Sequence, residues 1–167
     1  NLKVSAAKAP GNICAISALE MIFTRYGYHC LNRVLRLIIG AWEGDENSFS
    51  ANIMKAVAKL VIVYGDMLDD EMFKEKLGAI SIKSLSRTAK EIRSGSLGYA
   101  EAMVIEYNGK KKTSAGRLPI SMLYAKSLAS LDAVIENEMP YEINDDALGK
   151  APTDEIDADT EVNDDEE

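Results

Sequence analysis

Lys83, Arg87, Lys90 and Arg93 recur at helical spacing. With about 100° of turn per residue they fall near 0°, 40°, −20° and −80°, one basic face roughly 120° wide, while Leu85 and Ile92 sit close to the opposite side. Cations in that pattern hold phosphate groups by displacing condensed counterions, which gives affinity without reading bases. A second cluster, Lys110, Lys111, Lys112 and Arg117, crowds the segment EYNGKKKTSAGRLP at residues 106–119. The two clusters become one polyanion site if the fold sets them on a common face. Each also has a plainer reading, a solvated helix face and a solubilising loop.

Other chemistry-bearing residues carry less. Cys14, His29 and Cys30 stand at irregular spacing with no CxxC or HxxxH pattern, so they read as structural thiols and a turn histidine rather than zinc ligands. His29 is the only histidine, and no serine or cysteine nucleophile has a base to pair with. Trp42 closes an apolar stripe and is expected in the core rather than as a stacking platform. Glu43, Asp45 and Glu46 follow it in a loop rich in capping residues, a solvated loop rather than a site for a hard cation. No catalytic residue, metal ligand or cofactor is expected, and the chain itself is not expected to be an enzyme.

These residues need a helical frame, and the apolar spacing supplies one. NICAISALEMIFTRY, residues 12–26, is apolar around most of a helix and is expected to be mostly buried until Gly27 ends it. Leu31, Val34, Leu35, Ile38, Ala41 and Trp42 then keep a 3.6-residue period, with Arg33 and Arg36 facing outward. A third helix, capped by Asn47 or Ser48, carries Ile53, Val57, Leu60, Val61 and Tyr64 inward. The fourth begins with Asp69, Asp70 and Glu71 at its positive end and stops at Gly78. Ser81 opens the basic fifth helix and Ser94-Gly95 closes it. The sixth puts Leu97, Ala100, Val104 and Tyr107 on one side, and Pro119 starts a seventh with Tyr124, Leu128, Leu131 and Ile135. The expected class is all-α, a six- to seven-helix bundle with no strand, whose core includes Leu35, Ile38, Trp42, Val57, Leu60 and Tyr107. The fourth helix, the Gly78-Ala79-Ile80 turn and the basic helix have the outline of a helix-turn-helix.

Charge divides the chain in two. Thirteen acids and one base lie from Glu138 onward, which leaves 14 acids and 18 bases in residues 1–137. A body near +4 thus precedes a tail near −12, and the formal net charge of −8 belongs to the tail. Few large apolar side chains accompany that charge, so residues 138–167 are expected to be disordered and residues 1–137 to form the domain. The acidic tail could compete with nucleic acid for the basic face. No apolar run is long enough to span a bilayer, and two cysteines without a secretory signal fit a reduced cytoplasmic location. The chain opens on Asn1 rather than Met, and is expected to be a piece or a processed form of a longer product.

Several stretches in order, LNRVLRLIIGAWEGD, ANIMKAVAKLVIVYGD, MFKEKLG, AEAMVIEYNGKKK and GRLP, resemble the helical C-terminal half of ParB-like proteins of phages and plasmids. The resemblance runs over residues 10–123 and rests on Ala41-Trp42, Tyr64-Gly65-Asp66, Tyr107-Asn108 and Arg117-Leu118-Pro119. It implies an all-helical module, a habitually basic loop after Tyr107-Asn108, and association with DNA. The chemistry proposed for that group sits in an Asp-Gly-Gln-His-type motif of an N-terminal ParB/sulfiredoxin-type domain that this chain lacks. No catalytic residue is carried over. The expected function is a non-catalytic module contacting nucleic-acid backbone, DNA being the expected partner. The alternative is a protein-interaction or oligomerisation module.

Overall fold

A glycine sets the course of the longest element. In the computed structural model, which describes residues 2–109 and 115–125, α1 (Ile16–Trp42) consists of two helical segments that meet at Gly27, with φ 80° and ψ 178°. Glycine reaches that conformation without the Cβ penalty other residues meet. The two helices expected on either side of Gly27 are therefore present, joined with no intervening loop. The first starts at Ile16 because Asn12–Ile13 (β2) pairs in parallel with Lys3–Val4 (β1), Lys3 opposite Asn12 and Val4 opposite Ile13. A two-residue bridge has no alternation to read, which is why the sequence pointed to no strand. The first segment is also less covered than its composition suggests: Ala18 and Ile22 are buried, whereas Ile16 and Phe23 are exposed.

The fold is all-α, with six helices among the described residues. After α1 come α2 (Ala51–Tyr64), a single 3-10 turn (Gly65–Met67), α3 (Asp70–Gly78), α4 (Ile82–Ile92), α5 (Gly95–Asn108) and α6 (Ser121–Ala125). α1 packs on α2 and α3, α5 receives α2, α3 and α4, and α6 rests on α2. α5 is thus the central helix. Gly98, Ala100, Glu101, Ala102, Met103, Val104, Tyr107 and Asn108 are buried around its circumference, not along the single side its spacing suggested. Ile38, Trp42, Val57, Leu60 and Tyr107 are core residues as expected, while Leu35 is half-buried against them. Leu128, Leu131, Ile135 and the acidic tail lie outside the described residues.

Loops are tied to this core by specific polar groups. Asp69, expected only as one of three acids at the positive end of α3, caps it by accepting from the Met72 N–H at 2.8 Å, and Ser81, expected to open α4, does so by accepting from the Ser84 N–H at 3.1 Å. Ser48 is not a cap: it is buried, and its hydroxyl lies between the Trp42 and Asp45 carbonyl oxygens at 2.7 and 2.6 Å, its one proton shared between them, folding the loop ahead of α2 back on α1. The Trp42 indole N–H donates to the Ile80 carbonyl at 3.0 Å, and the Tyr107 hydroxyl accepts from the Asp69 N–H at 3.1 Å. Arg33, expected to face outward, is instead a hub. It donates to Asp70 Oδ1 at 2.8 and 3.0 Å and to the Gly65 and Leu68 carbonyls at 3.1 and 2.7 Å, so one guanidinium anchors the whole α2–α3 connection to α1.

Candidate functional site

α4 is amphipathic in the sense its spacing predicts. Ile82, Leu85 and Ala89 are buried, and Lys83, Arg87 and Lys90 are exposed. Its packing partner is α5, while α3 packs on α1 and α5. The basic helix is therefore braced from behind by the central helix, and α3 and α4 do not form the mutually packed pair of a helix-turn-helix.

What lies in front of α4 is a groove of about 600 Å³ lined by Ile82, Lys83, Ser86, Arg87 and Lys90 of α4, Tyr99 of α5, Asn47, Ser50 and Asn52 around the start of α2, and Lys8 of the N-terminal segment. Four cations converge on it, and no carboxylate is among its lining residues. The nearby Asp45 is engaged by its own loop, its Oδ1 accepting from the Asn47 N–H at 2.8 Å. At the junction of α4 and α5 the Ser86 and Tyr99 hydroxyls lie 2.7 Å apart, which fixes the half-buried Tyr99 ring at the groove wall. Such a trough of cations and neutral donors suits a phosphate chain, whose charge it offsets and whose oxygens accept hydrogen bonds.

Arg93, the fourth member of the sequence-predicted face, has other work. Its Nε lies 3.5 Å from Glu101 Oε1, a carboxylate whose side chain is only 3% exposed, and a terminal nitrogen donates to the Tyr124 hydroxyl at 3.3 Å. The guanidinium also sits 5.2 Å from the Tyr124 ring centre, and the Tyr124 hydroxyl donates to the same Glu101 oxygen. Burying a carboxylate at that depth is costly unless it is paired and hydrogen-bonded, and Arg93 with Tyr124 supplies both contacts. Arg93 therefore joins α4 and α6 to α5.

The second cluster does not meet the first at Arg117. Arg117 is exposed beside a separate groove of about 550 Å³ with Ile105, Asn108, Gly109, Leu118, Pro119 and Ile120, and the two grooves share no residue. Tyr99 and Asn108 mark the two sites on α5, and nine residues of helix turn through about 900°, which puts them on opposite sides. Lys110, Lys111 and Lys112 lie outside the described residues. The described residues on either side of them are nonetheless held together. The buried Asn108 amide donates to the Leu118 carbonyl at 2.9 Å and its oxygen accepts from the Leu118 N–H at 2.8 Å. The Tyr64 hydroxyl donates to the Pro119 carbonyl at 2.9 Å. Tyr64, Asn108, Leu118 and Pro119 thus meet in space and clamp the two sides of this segment together.

The remaining candidates are placed without a site forming around them. Among the described residues no group of three or more His, Cys, Asp or Glu side chains could hold a metal ion. His29 is exposed and edge-on to Tyr28, with ring centres 5.8 Å apart. Cys14 and Cys30 are free thiols, and burial pushes Cys30 up to about 11 against the pull of Arg33, so it stays protonated and unreactive near neutral pH. Trp42 is core, stacked edge-on against Phe73 at 6.0 Å. Sequence reading missed Lys8, Tyr99 and Glu101. Glu101 had a signal, being one of two acids in the largely apolar stretch GSLGYAEAMVIEYN and eight residues after Arg93; Lys8 had none, because only the return of the N-terminal segment brings it to α4.

Residues 5–122 match the DUF6551 family, described as a family of unknown function. No curated protein and no solved structure matches the chain.

Proposed function

We propose that this chain, which belongs to the DUF6551 family of unknown function, is a non-catalytic helical module that contacts nucleic-acid backbone through the groove in front of α4. The observation that carries this reading is the convergence of Lys8, Lys83, Arg87 and Lys90 on a groove whose lining holds no carboxylate. The resemblance of the motif residues to ParB-like proteins points the same way. Lys110, Lys111, Lys112 and Arg117 would add contacts of their own, from a second surface in the case of Arg117. Arg93 would position α4 rather than bind phosphate directly. Backbone contacts of this kind give affinity without sequence preference.

The test is binding of a labelled oligonucleotide to the full chain, followed by fluorescence anisotropy over a range of salt. Three or four phosphate contacts on a duplex give log K against log salt a slope of roughly −2.7 to −3.6. Lys83→Glu with Arg87→Glu should weaken binding to every sequence alike. Absence of any salt-dependent binding at about 50 mM salt overturns the reading. A second reading, a protein-interaction or oligomerisation module, is favoured by Ile16 and Phe23, which stand 40% and 39% exposed one heptad apart on α1. Under it, sedimentation would report an assembly larger than one chain, and Phe23→Ser would dissociate it.

A further inference from the structure

Resting on the nucleic-acid reading of the same groove, we infer that its ligand is a single strand rather than a duplex. The inference comes from shape and from what the floor is made of. A helix that serves a duplex projects into the major groove, about 12 Å wide, with its charged face free of neighbours. Here the exposed side of α4 is the wall of a trough whose lining also includes Lys8 and, around the start of α2, Asn47, Ser50 and Asn52. Cations are thus contributed by two separate stretches of the chain, an arrangement that surrounds one backbone. The trough's volume, about 600 Å³, is that of a small-molecule site, about 300–1,000 Å³, which has room for a nucleotide or two and none for a paired helix.

Its lining is not purely polar. Ile82 and Tyr99 belong to it, and the Tyr99 hydroxyl lies 2.7 Å from that of Ser86, so the half-buried Tyr99 side chain is held in place rather than free to turn out. Sequence-independent single-strand binders combine these two parts, a basic groove that follows the backbone and an aromatic ring on which a base stacks. Lys8, Lys83, Arg87 and Lys90 would follow the phosphates, Asn47 and Asn52 would supply neutral donors, and Tyr99 would take a base.

The experiment compares three probes of about ten nucleotides on the full chain by fluorescence anisotropy: oligothymidylate, an abasic strand of the same length, and a duplex. Oligothymidylate is expected to bind at least about tenfold more tightly than either of the others. Lys8→Glu should weaken it several-fold, Tyr99→Ala about tenfold, and Tyr99→Phe, which keeps the ring, little. Should Tyr99→Ala fail to fold, the abasic strand still measures the contribution of the base. If the duplex binds as tightly as oligothymidylate and depends on Lys83 and Arg87, the single-strand inference falls while the backbone-binding function stands. Equal binding of the abasic and thymidylate strands removes Tyr99 as a stacking platform and overturns the inference too. Binding of none of the three overturns the function itself.

Discussion

Single side chains do the joining in this molecule. Arg33 spans from α1 to three groups of the α2–α3 connection, Trp42 reaches the turn before α4, and Tyr64 reaches Pro119 after the basic loop. Burial pushes the Tyr64 phenol up to about 12 from its ordinary 10.0. A group that keeps its proton longer in the folded state contributes stability in full below its unfolded pKa, and loses it as pH rises through the folded one. Stability is thus expected to fall between about pH 10 and 12 through Tyr64, and Cys30, raised from 9.0 to about 11, adds to the decline from about pH 9. Tyr64→Phe should cost about 1 kcal/mol at neutral pH through the lost hydrogen bond to Pro119. In urea unfolding it should also flatten the alkaline decline above pH 10. An unchanged alkaline slope would mean that the phenol ionises as readily folded as unfolded.

Helix crossings depend on where a side chain is missing. A Cβ on Gly98 of α5 would meet the Arg93 carbonyl oxygen at 2.1 Å and the Ala89 carbonyl oxygen at 2.8 Å, both backbone atoms at the end of α4. Gly78 plays a similar part at the end of α3, where a Cβ would meet the Ala41 carbonyl oxygen at 3.1 Å; it is the last residue of the helix and permits approach to α1 rather than acting as a left-handed stop. Gly40 differs, since the three nearest atoms to a new methyl all belong to the Lys74 side chain, which can readjust where backbone cannot. Gly98→Ala is therefore expected to destabilise by about 3 kcal/mol or more, because backbone cannot give way as a side chain can. Gly40→Ala should stay within about 1 kcal/mol, the clash being offset by better helix propensity. Equal costs in denaturant unfolding would mean that α4 and α5 are not locked at Gly98. That lock matters for the groove, because it sets the register of Ser86 against Tyr99.

Charge is organised over the whole molecule. Residues 1–137 carry 18 bases and 14 acids, and 13 further acids with a single base follow from Glu138. Anions tethered within about a Debye length, ~8–10 Å near physiological salt, compete with phosphate for the same cations. Removing residues 138–167 is expected to raise the affinity for oligonucleotides, with the largest gain at low salt where screening is weakest. The measurement is anisotropy of truncated against full-length chain at matched salt, together with helical circular dichroism to verify the fold. Weaker binding after truncation would end the competition idea. Among the described residues no helix is long and apolar enough to cross a membrane.

The apolar period of α2, the acidic start of α3, the start of α4 at Ser81, the break at Gly27 and the basic face of α4 were all legible, because each is set by residues within a turn or two of one another. The all-α class followed from them. The spacing did not reveal that α5 is central, since a helix buried on every side has no single apolar stripe. Nor did it separate four cations of one helix face by role. Lys83, Arg87 and Lys90 border a groove, whereas Arg93 turns to Glu101 and Tyr124. Lys8 joins them from some 75 positions earlier in the chain. Local spacing fixes which face of a helix a charge occupies; only the crossing of distant elements decides what that face looks toward, because those contacts come from long-range packing that no local period encodes.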